Sequence, residues 1–335
     1  MAETDTLLSD IEATGEKLKQ AASAVGQRVI GQERVVDLSL TALLSGGHAL
    51  LVGAPGLAKT RLVETLGTVL GLDAGRVQFT PDLMPSDILG AEVLESTPDG
   101  KREFRFIDGP IFCQLLMADE INRAGPRTQS ALLQAMQEKH VTVAGARRDL
   151  PRPFHVLATQ NPIEQEGTYP LPEAQLDRFL LQIDVDYPDR EAERKILFAT
   201  TGTDDTHVSP VFDTAGLVHA QEIVRRMPVG ESVVEAILDL VRAARPGEPE
   251  APEAVQKAIS WGPGPRAAQA LMLAVRARTL LEGRLAPSID DVAALAQPVL
   301  IHRMALTFAA RAEGQTLEQV ISSLVRDTLK LDIAA

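Results

Sequence analysis

The chain has 335 residues, 45% of them hydrophobic and 24% charged, a balance suited to a folded protein with room for two cores and without a low-complexity tract. Acidic residues outnumber basic ones 46 to 33, for a net charge of −13, which speaks against a protein that mainly grips nucleic-acid phosphates, although local basic loops could still line a channel. The single cysteine, Cys113, excludes an internal disulfide framework and reads as a reduced core residue; no apolar run approaches the about 20 residues of a membrane span, and residues 1–28 lack a signal-peptide core, so no membrane insertion and a cytoplasmic location are expected.

Residues 5–25 place Leu7, Leu8, Ile11, Leu18, Ala22 and Val25 at helical spacing, with Gly26 near the end. A second helical pattern runs from Glu33 to Leu44, stops at Ser45-Gly46-Gly47 and yields to the short apolar run His48 to Val52, a buried-strand pattern. Val77 to Thr80, Leu115 to Ala118, His155 to Thr159 and Leu180 to Val185 are further strand candidates, separated by helix-length segments such as Lys59 to Leu70 and Arg127 to Glu138. This alternation predicts a parallel sheet covered by helices. Glu92 to Ile107, turning at Pro98-Asp99-Gly100, and His140 to Leu150, turning at Ala144-Gly145, read as hairpins that project from it.

After about Ser209 the strand signal disappears. Ala215 to Met227, Ser232 to Ala244, Arg266 to Glu282, Ile289 to Ala305 and Leu317 to Leu331 read as helices. The expected division is a leading helix over 1–28, an α/β core with two hairpin inserts over 29–209, and a helical domain over 210–335.

Gly53-Ala54-Pro55-Gly56-Leu57-Ala58-Lys59-Thr60 follows the first strand and opens a helix, as a phosphate-cradling loop requires. Small residues let backbone N–H groups approach phosphate. Lys59 would reach the β and γ phosphates of ATP, Thr60 would place its hydroxyl on Mg²⁺, and Arg61 lies in the first turn of a helix whose positive end faces the anion. The general pattern has glycine where Ala58 stands, and alanine there suggests a more ordinary backbone. Alone, the segment could be a plain strand-to-helix turn.

Leu115-Leu116-Met117-Ala118-Asp119-Glu120 is an apolar strand ending in two carboxylates. Asp119 would bind Mg²⁺ with Thr60, and Glu120 would polarise the attacking water. Val156-Leu157-Ala158-Thr159 delivers Gln160-Asn161-Pro162, where Asn161 could contact the γ-phosphate or cap an Asn-Pro turn. Arg178, in Leu176-Asp177-Arg178-Phe179, and Arg266, in Gly264-Pro265-Arg266, could neutralise charge developing on the phosphoryl group, Arg178 from a neighbouring subunit. Arg123 and Arg127 compete for that role. The histidines, including His48, His140 and His155, show no paired metal-ligand spacing and are assigned to structure.

In this order the features resemble the AAA+ superfamily, and their wording resembles MoxR ATPases over nearly the whole chain. Gly-Xaa-Pro-Gly-Xaa-Ala-Lys-Thr at 53–60, the segment from Gln78 to Gly90, Asp119-Glu120-Ile121-Asn122-Arg123-Ala124, Ala158 to Pro162, and Leu171 to Phe179 carry the likeness. The resemblance makes Ala58 the expected residue. It implies a P-loop AAA+ α/β core with its parallel sheet flanked by helices, a C-terminal all-helical lid domain, and a homo-oligomeric ring, a hexamer by likeness, with active sites between subunits.

The resemblance also implies roles. Val29-Ile30-Gly31-Gln32 would line the adenine pocket, Arg178 would act in trans, and Arg266 would be the lid-borne sensor of nucleotide state. ATP hydrolysis would drive chaperone-like remodelling or activation of a client enzyme or complex, with a separate von Willebrand A domain protein as partner. An ATP-switched scaffold with little turnover, or a DNA-dependent or chelatase-like motor, are the alternatives. Asp37-Leu38-Ser39-Leu40-Thr41 superficially resembles the metal motif of that partner domain, but it lies in a helical pattern.

Overall fold

The computed structural model describes residues 2–96, 101–164, 167–202 and 207–330. The chain begins with α1 (Ala2–Arg28) and α2 (Glu33–Leu44), then alternates β1 (Ala49–Gly53), α3 (Lys59–Val69) and β2 (Ala74–Gln78). A short α4 (Pro85–Leu89) leads into the hairpin β3 (Gly90–Ser96) and β4 (Arg102–Asp108). The expected Pro98-Asp99-Gly100 turn of this hairpin lies outside the described residues. There follow β5 (Leu115–Asp119), α5 (Pro126–Glu138), the hairpin β6 (His140–Val143) and β7 (Ala146–Asp149), β8 (His155–Gln160), α6 (Glu173–Leu176), β9 (Leu181–Val185) and α7 (Arg190–Thr201).

Five strands form one sheet in the order β2-β5-β8-β1-β9, every neighbouring pair parallel. β5 and β8 are buried almost throughout, as near-continuous apolar runs in a doubly covered parallel sheet should be. The second hairpin turns through Ala144 and Gly145 at φ 50° and 82°, the paired left-handed geometry that matches strand twist in a two-residue turn. Arg148 of β7 stacks on Phe106 of β4, 3.6 Å from its ring centre, so the hairpins brace each other.

The remaining chain is α8 (Thr214–Arg226), α9 (Glu231–Ala243), α10 (Glu253–Ala258), β10 (Ile259–Trp261), α11 (Pro265–Leu281), α12 (Ile289–Leu300), β11 (Ala305–Leu306), α13 (Phe308–Ala312) and α14 (Leu317–Leu329). The helical expectation is corrected in two respects, the first being that β10 and β11 pair as a small antiparallel ribbon, too short to leave an alternating pattern. The helix expected to reach Ala305 ends instead at Leu300, and a 3-10 turn over Ile301–Arg303 delivers the chain to β11. A single apolar core joins Ile11, Leu18 and Val25 of α1 and Leu40 of α2 to Leu217, Ile237, Leu271 and Leu295 of the later helices. No helix among the described residues is long and apolar enough to cross a membrane.

Candidate functional site

β5, β8 and β1 lie side by side, and their parallel register brings Asp119, Gln160 and Gly53 to one edge of the sheet. Ligands bind outside the carboxyl ends of such strands. Gly53 fits there because a Cβ would come within 2.4 Å of the Val185 carbonyl oxygen. The loop over Ala54–Ala58 then turns into α3, whose N-cap residue Ala58 offers no side-chain hydrogen bond, so the first-turn amides and positive helix end remain for an anion.

Ala58 adopts φ 57°, ψ 19°. This is the left-handed region, so the reading of alanine as a sign of ordinary backbone is wrong: the loop keeps its shape and alanine carries the strain. Lys59 folds back, its Nζ donating to the carbonyls of Gly53 and, at 3.0 Å, Ala54. Burial pushes its pKa down, while Asp119 and Glu120 pull it up.

A cleft of about 350 Å³ gathers Pro55, Gly56, Ala58, Lys59, Thr60 and Arg61 with Asp119, Glu120, Thr159 and Asn161. Asp119 accepts at Oδ1 from the Thr159 hydroxyl (2.6 Å) and at Oδ2 from Arg76 (2.6 Å). The same Thr159 oxygen accepts from the Glu120 amide at 2.9 Å. Glu120 sits at φ 55°, ψ 50°, a strained backbone of the kind found at functional sites. Its Oε2 accepts from Gln78 (2.9 Å) and pairs with Arg123 Nε (3.2 Å). Asn161 makes the turn contact, its Oδ1 accepting from Ile163 N (3.1 Å), and the residue also lines the cleft.

These groups fit a nucleotide with a divalent cation: uncapped amides and an ammonium for phosphate, a hydroxyl and a carboxylate for metal. The guanidinium on Asp119 shows that the carboxylate accepts a cation. Thr159, Arg76 and Gln78 carry no assigned role in the sequence reading. Only the pairing of β2 with β5, which sets Gln78 beside Asp119 and Arg76 beside Met117, reveals the latter two.

Val29–Gln32 is not part of this cleft's lining. It stands between α1 and α2, where Gln32 Nε2 donates to Asp186 O at 2.7 Å, one residue beyond the Val185 that pairs with Gly53. Gly31, at φ 74°, packs so closely that a Cβ would meet the Ala192 methyl at 2.4 Å.

Arg178 and Arg266 are also absent from this cleft's lining. They share a separate cleft of about 200 Å³ with Asp177, His48, Met136 and Gln137. Arg266 Nη1 lies 3.5 Å from Asp177 Oδ2. Arg123, half-exposed, is tied to Glu120 and, at 2.6 Å, to Glu164, while Arg127 is exposed at the start of α5. His48 accepts at Nδ1 from Val156 N (2.9 Å) and contacts Met136 O through Nε2 (3.2 Å). Burial pulls its pKa down to about 3 and that of His155 to about 4. Cys113 is a buried free thiol pushed up to about 11 by burial. Among the described residues no cluster of three metal-ligating side chains occurs.

A family model described as ATPase family associated with various cellular activities (AAA) matches residues 48–181, and an AAA lid domain model matches residues 251–324. The Mycobacterium tuberculosis protein named Chaperone MoxR1 is 41% identical over 309 residues, covering 92% of this chain and 81% of that one. The chain belongs to the MoxR family of AAA+ ATPases. Protein MoxR of Paracoccus denitrificans is 32% identical, with 93% of this MoxR chain and 95% of the relative aligned. A Cytophaga hutchinsonii protein whose crystal structure was assigned to an ATPase superposes with a TM-score of 0.90 at 36% identity, covering 100% of each chain. The MoxR core and lid thus account for both halves of the fold.

Proposed function

We propose that this chain is an ATP hydrolase that assembles into a closed ring, six copies by family likeness, and couples turnover to remodelling of a partner protein. In this reading residues 29–209 form the nucleotide-binding body and 210–335 the lid. The observation that carries it is the separation of parts. Lys59, Thr60, Asp119, Glu120 and Asn161 share one cleft, whereas Arg178 and Arg266 share another. A site missing its arginines and an arginine pair missing its phosphate are complementary halves, and two copies supply both.

ATP with Mg²⁺ supplies the scissile phosphoanhydride and neutralises its charge. The loop amides and Lys59 hold the β and γ phosphates, and Thr60 and Asp119 hold the metal. Val29–Gln32 flanks the base. Glu120 orients and deprotonates water, Asn161 positions it, and the neighbour's Arg178 and Arg266 balance charge as the phosphoryl group transfers. Arg266 therefore serves the adjacent subunit in this proposal, not its own lid angle. The chaperone name of the Mycobacterium tuberculosis relative supports remodelling. A separate von Willebrand A domain protein is the proposed adaptor to the client, and the cytoplasm the proposed location.

The test is ATPase rate against protein concentration with Mg²⁺, with mass followed in solution, for the parent and Arg178→Ala. Rate per subunit should rise with assembly and fall by about 10³ or more in the variant. A flat, arginine-independent rate overturns the interface mechanism. A second reading, an ATP-switched scaffold with slow turnover, draws on Glu120 being held by Gln78 and Arg123; turnover that no assembly state or partner alters would favour it.

A further inference from the structure

The arginine pair is set by a joint buried between the α/β body and the lid. Arg303, in the 3-10 turn after α12, has a side chain 2% exposed. It spends its donors on one short segment: Nε on Asp177 Oδ1 (2.8 Å), Nη1 on Leu180 O (3.1 Å), and Nη2 on Phe179 O (2.6 Å) and Asp177 O (3.3 Å). Nη1 also donates to Val299 O at 2.6 Å, tying the fork to its own helix. The neighbouring His302 contacts Phe179 O through Nε2 at 3.0 Å. Backbone carbonyls on both sides of Arg178 are therefore fixed from the lid.

Asp177 closes the arrangement. Its Oδ1 takes Arg303 and its Oδ2 faces Arg266 at 3.5 Å, so one carboxylate links the buried lid arginine to an arginine of the exposed pair. A guanidinium this buried keeps a single geometry when its donors are satisfied, and the fork fixes direction as well as distance. Arg178 itself, half-exposed between these anchors, has no carboxylate of the described residues within ion-pairing distance.

From this geometry we infer that Asp177 and Arg303 are positioning residues for the neighbouring subunit's hydrolysis: they lock Arg178 and Arg266 into one rigid unit whose placement follows the lid. The inference rests on the reading that this arginine pair acts across a subunit interface. Neither positioning residue touches nucleotide. Their contribution is orientation, and a displacement of about 1 Å at such a group costs about a hundredfold in rate.

The experiment mixes variants that are inactive for different reasons. Lys59→Ala removes a subunit's own phosphate grip and leaves its arginine pair intact. Asp177→Asn is expected to lower turnover about a hundredfold while its subunits still bind ATP and assemble as the parent does. Mixed with Lys59→Ala, it should regain turnover, because the lysine variant lends its arginines to the intact cleft of an Asp177→Asn neighbour. Arg178→Ala mixed with Lys59→Ala is the reference.

If the reference mixture fails to recover, the interface reading itself is overturned. If it recovers but Asp177→Asn alone turns over like the parent, or stays inactive in the mixture, the positioning role is overturned. Should Asp177→Asn fail to assemble, Asp177→Glu keeps the charge buried beside Arg303 and moves the oxygens by one methylene. It is read in the same mixture, by the same outcomes.

Discussion

Arg76 donates to Oδ2 of Asp119 at 2.6 Å, so the carboxylate proposed to hold the metal is paired with a cation from the adjacent strand. Arg76 is half-exposed, and pairs of this kind are weak. Removing the guanidinium frees the ligand: Arg76→Ala should reduce the Mg²⁺ concentration for half-maximal ATP binding by a few-fold, as exposed-pair strengths of about 0.2–1 kcal/mol imply. An unchanged midpoint in a metal titration would show that Arg76 does not compete for Asp119.

Glu120→Gln should retain ATP in the assembled protein and lower turnover by about 10²–10⁴-fold, the usual worth of a general base. Gln78 Nε2 donates to this side chain, and a carboxamide oxygen can accept the same hydrogen bond. Folding should therefore be preserved, as melting with and without nucleotide would reveal; parental turnover in this variant contradicts the assigned role.

Ala58 tests the strain at the loop. With φ at 57°, Ala58→Gly should relieve about 1–2 kcal/mol of steric cost, less the added freedom of glycine in the unfolded chain, for a net gain near 0.5–1 kcal/mol by these rough figures. Ala58→Val should lose stability and ATP affinity together, since a β-branched residue tolerates this region worst. Denaturant midpoints and nucleotide titrations measure both.

Acid should unfold the protein through its buried histidines. His48 and His155 titrate near 3 and 4 when folded, and His302, pushed down by burial and Arg303, lies below its ordinary value too. Unfolded histidines bind protons below about pH 6.5 while the folded ones stay neutral, so stability is fully present above that pH. It is lost as pH falls toward 4, by up to about 1.4 kcal/mol per pH unit per histidine. Melting temperature measured from pH 8 to 5 should drop below pH 6.5, and less so in His155→Gln.

The sheet strands could be read from composition because parallel strands buried on both faces are apolar runs, and β1, β5, β8 and β9 fall within a residue or so of those runs. The loop from Gly53 to Thr60 could be placed between a strand and a helix because its pattern is local in the chain. Strand order is not local: that β8 stands between β1 and β5, and that β2 borders β5, places Thr159, Arg76 and Gln78 on the two carboxylates, and no spacing encodes it. Arg303 reads as an ordinary basic residue after an apolar helix. Only the folded packing shows that it is 2% exposed and turned onto Asp177. The β10–β11 ribbon escaped for the opposite reason, being too short for any period to register.

That ribbon holds Trp261, the chain's one tryptophan, half-buried and paired with Ala305 two residues after Arg303. Five residues further along lies Arg266. Trp261 thus lies close along the chain or across the ribbon to two arginines of the joint, and its emission is a label-free optical readout of that region. A change in intensity or wavelength when nucleotide is added would time the rearrangement of the lid in stopped-flow, with no dye attached and no second tryptophan to subtract.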